Sequence, residues 1–248
     1  MALDPQIGRL NEGDVYLQEW VNDVLSPEVL GPLSGTLLGI QTESDIKQNI
    51  SKARGSYGKT VDEDIAPKPT KVSLGFNRSS SKLLAIAFQG TAADNTVTGG
   101  TITDEAIIFK LDQWVAVSQS NLSAVVIATK VDGTDYEVHP RLNMIKALST
   151  GSSTDNEALN FSATFGAIDS KQIKGGTRSK ITFQIVMDGK NRIGGKDFTL
   201  RIPEITLRND ADSDQLSDDF LELKFAGEMT KRADEAAEFY HDGDIVLS

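Results

Sequence analysis

The chain has 248 residues, with 25 Lys+Arg against 36 Asp+Glu, a formal charge of −11 and a pI of about 4.7. At 39% hydrophobic and 25% charged residues it reads as folded, neither disordered nor lipid-embedded, and its length allows one all-β domain or two ordinary ones. The negative balance argues against a tight grip on phosphate backbones. The absence of cysteine excludes disulfides, Cys-ligated zinc and thiol nucleophiles, and two histidines, His139 and His241, leave little for imidazole chemistry.

The N-terminus, MALDPQIGRL, has neither the basic start nor the apolar core of a secretory signal, and no stretch approaches the ~18 apolar residues that a membrane span needs. Production and assembly in a cytoplasm are therefore expected. GDVYL at 13–17 reads as strand, whereas Leu17 to Leu25 is ambiguous because Leu17, Trp20, Val21 and Val24 also fit a helix. From Leu38 to Ile50, Leu38, Ile40, Ile46 and Ile50 share one parity and Gln41, Glu43, Asp45, Lys47 and Asn49 the other, which predicts one long half-buried strand. Residues 51–69 mix bases, glycines, acids and prolines without period and predict a long loop. Val72, Leu74 and Phe76 alternate as a strand. Ser79 to Ser81 offer caps for a helix through LLAIAF, with Gly90 as its stop. A polar Gly/Thr loop is expected over 91–100.

The run AVVIA at 124–128 is apolar on both parities and predicts a central strand covered on both faces. Asp132-Gly133 and Asp188-Gly189 are candidate hairpin turns, and 149–156 a loop. Alternation resumes at Leu159–Phe165, Ile181–Met187, Phe198–Ile202 and Leu221–Phe225; Thr230 to Phe239 is a weak helical stretch. No linker composition and no internal repeat stand out. The expectation is a predominantly β sandwich or barrel with one helix, a single domain over 1–248 with a long excursion at 51–69.

Chemistry is harder to find. Asp210, Asp212 and Asp214 have the alternate spacing that opens a calcium loop, but Gln215 stands where the turn glycine belongs and Leu221 where the bidentate Glu belongs. A solvated acidic turn between two strands is the better reading. His139, before Pro140, has no second ligand nearby and reads as packed, and His241 is no stronger. No G-x-S-x-G elbow or phosphate-binding glycine motif occurs. Asn49, Asn121 and Asn160 begin chance N-x-[ST] tripeptides. Tyr16, Trp20, Tyr57 and Trp114 are scattered, without the basic–aromatic interleaving of single-strand binders. A carboxylate pair on a β scaffold remains open, as does a binding module such as an adhesin or carbohydrate-binding domain. No catalytic site emerges, so no enzyme, cofactor or metal is expected.

Long strands with one polar face leave edges that an assembling protein can use. In order, GDVYL at 13–17, LGIQTESDIKQNISKARGSYGKTVD at 38–62 and KVSLGFNRSSSKLLAIAFQG at 71–90 resemble the major tail tube proteins of long, non-contractile bacteriophage tails. DYEVHPRLNMI at 135–145, MDGKNRIGGKDFTLRIPEITL at 187–207 and DDFLELKFAGEM at 218–229 continue the resemblance. It implies a β-sandwich flanked by one helix, assembling as hexameric rings around an inner β-barrel. Those rings stack head-to-tail into a conduit for DNA ejection, in company with tape-measure, tail terminator and distal tail proteins. It also implies that the excursion at 51–69 is an inter-ring arm, with Lys52, Arg54, Tyr57 and Lys59 at the contact. Glu43, Asp45, Asp62, Glu63 and Asp64 are then candidates for a lumen that repels passing DNA. Six copies would carry roughly −66, six times −11. The expected location is the virion tail, assembled in a bacterial cytoplasm, and a secretion-system tube protein is a near relative of this reading.

Overall fold

The computed structural model describes residues 10–216 and 218–245. The N-terminal stretch read for a targeting signal lies outside them, apart from Leu10, as does Ser217 of the acid-rich segment. The sequence predicts one domain over 1–248; the chain divides into two compact units, Met1–Ala92 with Ile173–Ser248, and Ala93–Gln172. The sequence gives no linker signal because paired strands, not Gly/Pro/Ser-rich coil, carry the chain into and out of the second unit.

In the first unit, β1 (Asn11–Val21) and β2 (Val24–Gln41) form a hairpin whose turn residues Asn22 and Asp23 both have positive φ, 50° and 60°. Those values suit a tight turn that follows the right-handed strand twist, and they resolve the ambiguous Leu17–Leu25 stretch as strand. After β3 (Ser44–Ile50), β4 (Thr60–Pro67) and β5 (Lys71–Phe76) comes α1 (Ser81–Ala87). The unit finishes with β14 (Ile181–Asn191), β15 (Asp197–Asn209), β16 (Leu223–Met229) and β17 (Tyr240–Ile245). Strands β14-β1-β2-β5-β16-β15 follow one another, and β14 pairs back onto β15, so six antiparallel strands close into a barrel; β17 lies on the first half of β15.

The alternation read from sequence fills this barrel. Val72, Leu74, Phe76, Ile181, Phe183, Ile185, Leu223 and Phe225 are all buried in one core cluster. In β15, Ile202 and Ile205 both face the core because the register against β14 shifts between Phe183 and Ile185. Pro203 sits in this bulge, where a residue without an N–H is tolerated. Asp188-Gly189, expected as a turn, lies inside β14, and a Cβ on Gly189 would stand 2.2 Å from the Phe198 ring. The glycine makes room for the aromatic ring; the chain reverses instead between Asn191 and Asp197.

Helix α1 begins where expected, the Ser80 hydroxyl accepting the Leu83 N–H at 3.2 Å, and it buries Leu83, Ile86 and Ala87 in the barrel core. Its end differs in detail. Gln89 takes the left-handed conformation (φ 48°), and Gly90 donates its N–H to the Ala85 carbonyl at 2.7 Å. A Cβ at Gly90 would lie 2.1 Å from the Lys174 carbonyl oxygen, so close approach, not φ, requires this glycine. The weak helical stretch at Thr230–Phe239 is a run of turns, tied by the Tyr240 hydroxyl accepting the Ala236 and Ala237 N–H groups.

The second unit holds β6 (Thr91–Val97), β7 (Gly100–Ile108), β8 (Trp114–Ala116), β9 (Leu122–Ile127), β10 (Tyr136–His139), β11 (Met144–Ala147), β12 (Ala158–Phe165) and β13 (Ile168–Lys174); β6 begins and β13 ends across its boundaries. Two three-stranded sheets, β7-β12-β9 and β10-β11-β8, share a core containing Phe109, Ile127, Tyr136, Ile145 and Phe161. The loop expected at 91–100 is mostly strand, because β6 pairs with β13. The AVVIA run belongs to β9, an edge strand rather than a central one, with Val126 exposed and Leu122 and Ile127 buried. Asp132-Gly133 lies in a turn, with Gly133 at φ 75°, but not in the expected hairpin, because β9 pairs with β12 and β10 with β11.

Candidate assembly interface

The strand predicted from Leu38 to Ile50 breaks at Thr42 and Glu43, and the break creates the most conspicuous surface feature of the first unit. Up to Gln41 the chain is a barrel stave; from Ser44 it belongs to a separate two-stranded hairpin, β3–β4, which pairs with no other strand among the described residues. Residues 60–67 of the expected loop therefore form a strand. Glu43 fastens the base. Its carboxylate accepts from Lys71 Nζ at 3.1 and 3.2 Å and from Gln41 Nε2 at 3.1 Å, while its carbonyl accepts the Lys68 N–H at 3.0 Å. Asp45 lies 4.0 Å from Lys68.

The register gives the hairpin two unlike faces. Ile46 opposite Ile65 and Gln48 opposite Glu63 lie on one face; Lys47 opposite Asp64 and Asn49 opposite Asp62 lie on the other, with Asp45. The five acids singled out from sequence are thus divided. Asp45, Asp62 and Asp64 share the polar face, Glu63 sits on the apolar face where it accepts from Gln48 Nε2 at 3.1 Å, and Glu43 is held at the base. Ile46 and Ile65 are 54% and 57% exposed, and Ile50 and Val61 are exposed too. A strand pair with an apolar face, no core beneath it and two open edges is what an isolated monomer avoids.

The tip is closed by its own hydrogen bonds. Ser51 N–H donates to the Lys59 carbonyl at 2.8 Å, Gly58 N–H to the Ser51 carbonyl at 2.9 Å, and the Ser51 and Ser56 hydroxyls meet at 2.6 Å. Gly58, at φ +81°, supplies the left-handed step. Lys52, Arg54, Tyr57 and Lys59 come together here as the sequence suggested. All four are exposed, Tyr57 by 78%, and among the described residues none of the three bases has an ion pair.

The strand ends fix where this hairpin lies. In an antiparallel barrel the connections alternate between two ends. The β3–β4 excursion and the β14–β15 turn leave one end; the β1–β2 turn, the start of α1 and the β15–β16 loop leave the other. That second loop, 210–222, is the acid-rich segment. Its Asp210 N–H donates to the Lys224 carbonyl at 2.9 Å and its Leu216 N–H to Asp214 Oδ1 at 2.9 Å. It also carries two side chains whose exposure sequence reasoning did not anticipate, Leu216 (93% exposed) and Phe220 (96%). Among the described residues no group of three or more His, Asp or Glu is placed to hold a metal ion.

Several other titratable groups are bound into structure. His241 stacks on Phe198 at 5.2 Å, and His139 meets Trp114 edge-on at 5.8 Å. Backbone N–H groups of Ser152 and Val131 hold the Asp135 carboxyl below its ordinary value. The Arg201 guanidinium, at 2.7 and 3.0 Å, does the same for Glu235. A cavity of about 400 Å³ at the hairpin end of the barrel is lined mainly by apolar side chains, among them Val15, Leu38, Met187 and Leu200. No helix among the described residues is long and apolar enough to cross a membrane.

A family model described as "Protein of unknown function UCP028589" matches residues 9–238. The chain belongs to that family. No curated protein matches it. The matched span includes the barrel, the hairpin and the whole of the second unit, so the hairpin lies within the part of the chain that the family model covers.

Proposed function

We propose that this protein is a structural tube subunit of the phage-tail kind, which polymerises as stacked hexameric rings into a hollow conduit for DNA. The observation that carries the reading is the β3–β4 hairpin: amphipathic, hydrogen-bonded through its tip, unpaired on both edges and fastened to a barrel that has already used its own edges. Because six strands close within one chain, the barrel itself offers no edge, and the hairpin, with both edges open, offers strands from which a ring or stack can be built. Burying Ile46, Ile50 and Ile65 against neighbours removes apolar surface from water, at about 25 cal/mol per Å². Asp45, Asp62 and Asp64 on the opposite face then turn toward the lumen, where like charge keeps DNA phosphates from adhering. Virion assembly in a bacterial cytoplasm, contacts with tape-measure and tail-end proteins, and the absence of catalysis belong to the same proposal.

Deletion of residues 54–59 tests it. Among the described residues the tip is hydrogen-bonded only within the hairpin, so the shortened chain is expected to fold with an unchanged circular dichroism spectrum while failing to form tubes. Normal tubes from the deletion variant would overturn the hairpin's role.

A further inference from the structure

The acid-rich β15–β16 loop is the feature that the tube reading leaves unused, and it has the composition of a receptor. Asp210, Asp212, Asp214 and Asp218 flank Leu216 and Phe220, which stand almost wholly in solvent. Exposed large apolar side chains beside a rim of charge mark contact sites more often than they mark idle surface. The hairpin tip carries the opposite charge, from Lys52, Arg54 and Lys59, and its own exposed ring, Tyr57. Within one chain the two features leave opposite ends of the barrel. A donor at one end and its complement at the other give a heterologous contact that repeats without closing.

We infer that the β15–β16 loop of one copy receives the basic hairpin tip of the next copy. This deepens the tube reading and rests on it: the partner is a second copy of this chain, its bases meet the Asp210–Asp214 carboxylates, and Tyr57 with the hairpin's apolar face covers Leu216 and Phe220. Opposite charges set the register and speed of docking, and the apolar contacts resist its reversal. Because the charged partners are exposed, association weakens as salt rises through the range where the Debye length falls below about 8 Å.

The chain has no cysteine, so disulfide trapping reads the contact without background. Gly55 has nothing within 4 Å of a built Cβ, and Gln215 is exposed in the loop, so Gly55→Cys with Gln215→Cys leaves the bases, acids and apolar residues in place. At assembling concentration this double variant is expected to give a ladder of cross-linked multimers on a non-reducing gel. Mixed single variants should give dimers only. Gly55→Cys with Arg192→Cys, at the hairpin's own end of the barrel, should give none. Tubes visible by electron microscopy without a cross-link to residue 215 would overturn this contact and leave the tube reading standing. Cross-linking to residue 192 instead would overturn it in favour of a side-by-side contact. Uncross-linked monomer at every concentration would overturn both. Reversing Lys52, Arg54 and Lys59 to Glu should also abolish the contact, and adding Asp210→Lys, Asp212→Lys and Asp214→Lys should restore it; failure of that rescue while the cross-link forms would remove charge from the mechanism.

Discussion

The barrel and the hairpin are built from the same kind of sequence and end in opposite environments. Both alternate apolar and polar residues with period two. In the barrel, Phe76, Ile185 and Phe225 point into a closed ring of six strands and are buried. In the hairpin, Ile46 and Ile65 hold the same register positions relative to their neighbours and face solvent. The difference is not composition but what lies beneath each face. A barrel satisfies its own alternation, whereas the lone strand pair leaves its apolar side facing solvent.

Mutations should separate these two kinds of alternation. The largest effect on stability belongs to the barrel: Phe225→Ala, which removes a ring packed 6.0 Å from that of Phe76, should cost about 3–5 kcal/mol in urea unfolding. Glycines repeat the contrast at smaller scale. A Cβ on Gly13 would meet the Asp188 carbonyl oxygen at 2.3 Å, so Gly13→Ala should cost about 1–3 kcal/mol, while Gly55→Ala, in open space, should change stability by less than about 0.5 kcal/mol.

Acid provides a probe of the Arg201–Glu235 pair, provided that it is read as the difference between Glu235→Gln and the parent chain. The Glu235 carboxyl is held below its ordinary value of 4.5, first by the Arg201 guanidinium and then by the Tyr240 hydroxyl. A depressed native value means that the folded state binds fewer protons. Its contribution is therefore complete above about pH 4.5 and is lost as pH falls through the lower native value. Glu235→Gln should lower the melting temperature at pH 7 and flatten its decline between pH 5 and 2. The smallest effect on stability is expected in the hairpin. Ile46→Ser with Ile65→Ser should shift unfolding by less than about 0.5 kcal/mol, yet abolish tube formation in sedimentation assays. A large loss of stability from that pair would mean that the hairpin packs on its own subunit.

The barrel was largely legible where its staves alternate: Val72-Leu74-Phe76 and Ile181-Phe183-Ile185 are buried as their parity predicts. The helix was legible from Ser80 and the apolar run after it. What the sequence hid has physical causes. Leu38 to Ile50 keeps one parity through the break at Thr42–Glu43, so periodicity reports a single strand where the structure has two. Val61 and Ile65 were obscured by the acids between them, Asp62, Glu63 and Asp64, which made β4 resemble loop. The second unit escaped notice because β6 and β13, rather than coil, connect it. Of the candidate interface, Lys52, Arg54, Tyr57 and Lys59 could be read from the sequence only as members of one long loop; their place at a short tip follows once β3 and β4 are known to be strands. The split of Glu63 from Asp62 and Asp64 follows from alternation, but only once β4 is known to be a strand.

Negative-stain electron microscopy of the purified chain across a concentration series tests the central claim most directly. The account predicts hollow tubes or stacked six-fold rings with a central channel, appearing above a threshold concentration and lost in the 54–59 deletion. Monomers at every concentration, or globular oligomers with a solid centre, would contradict it.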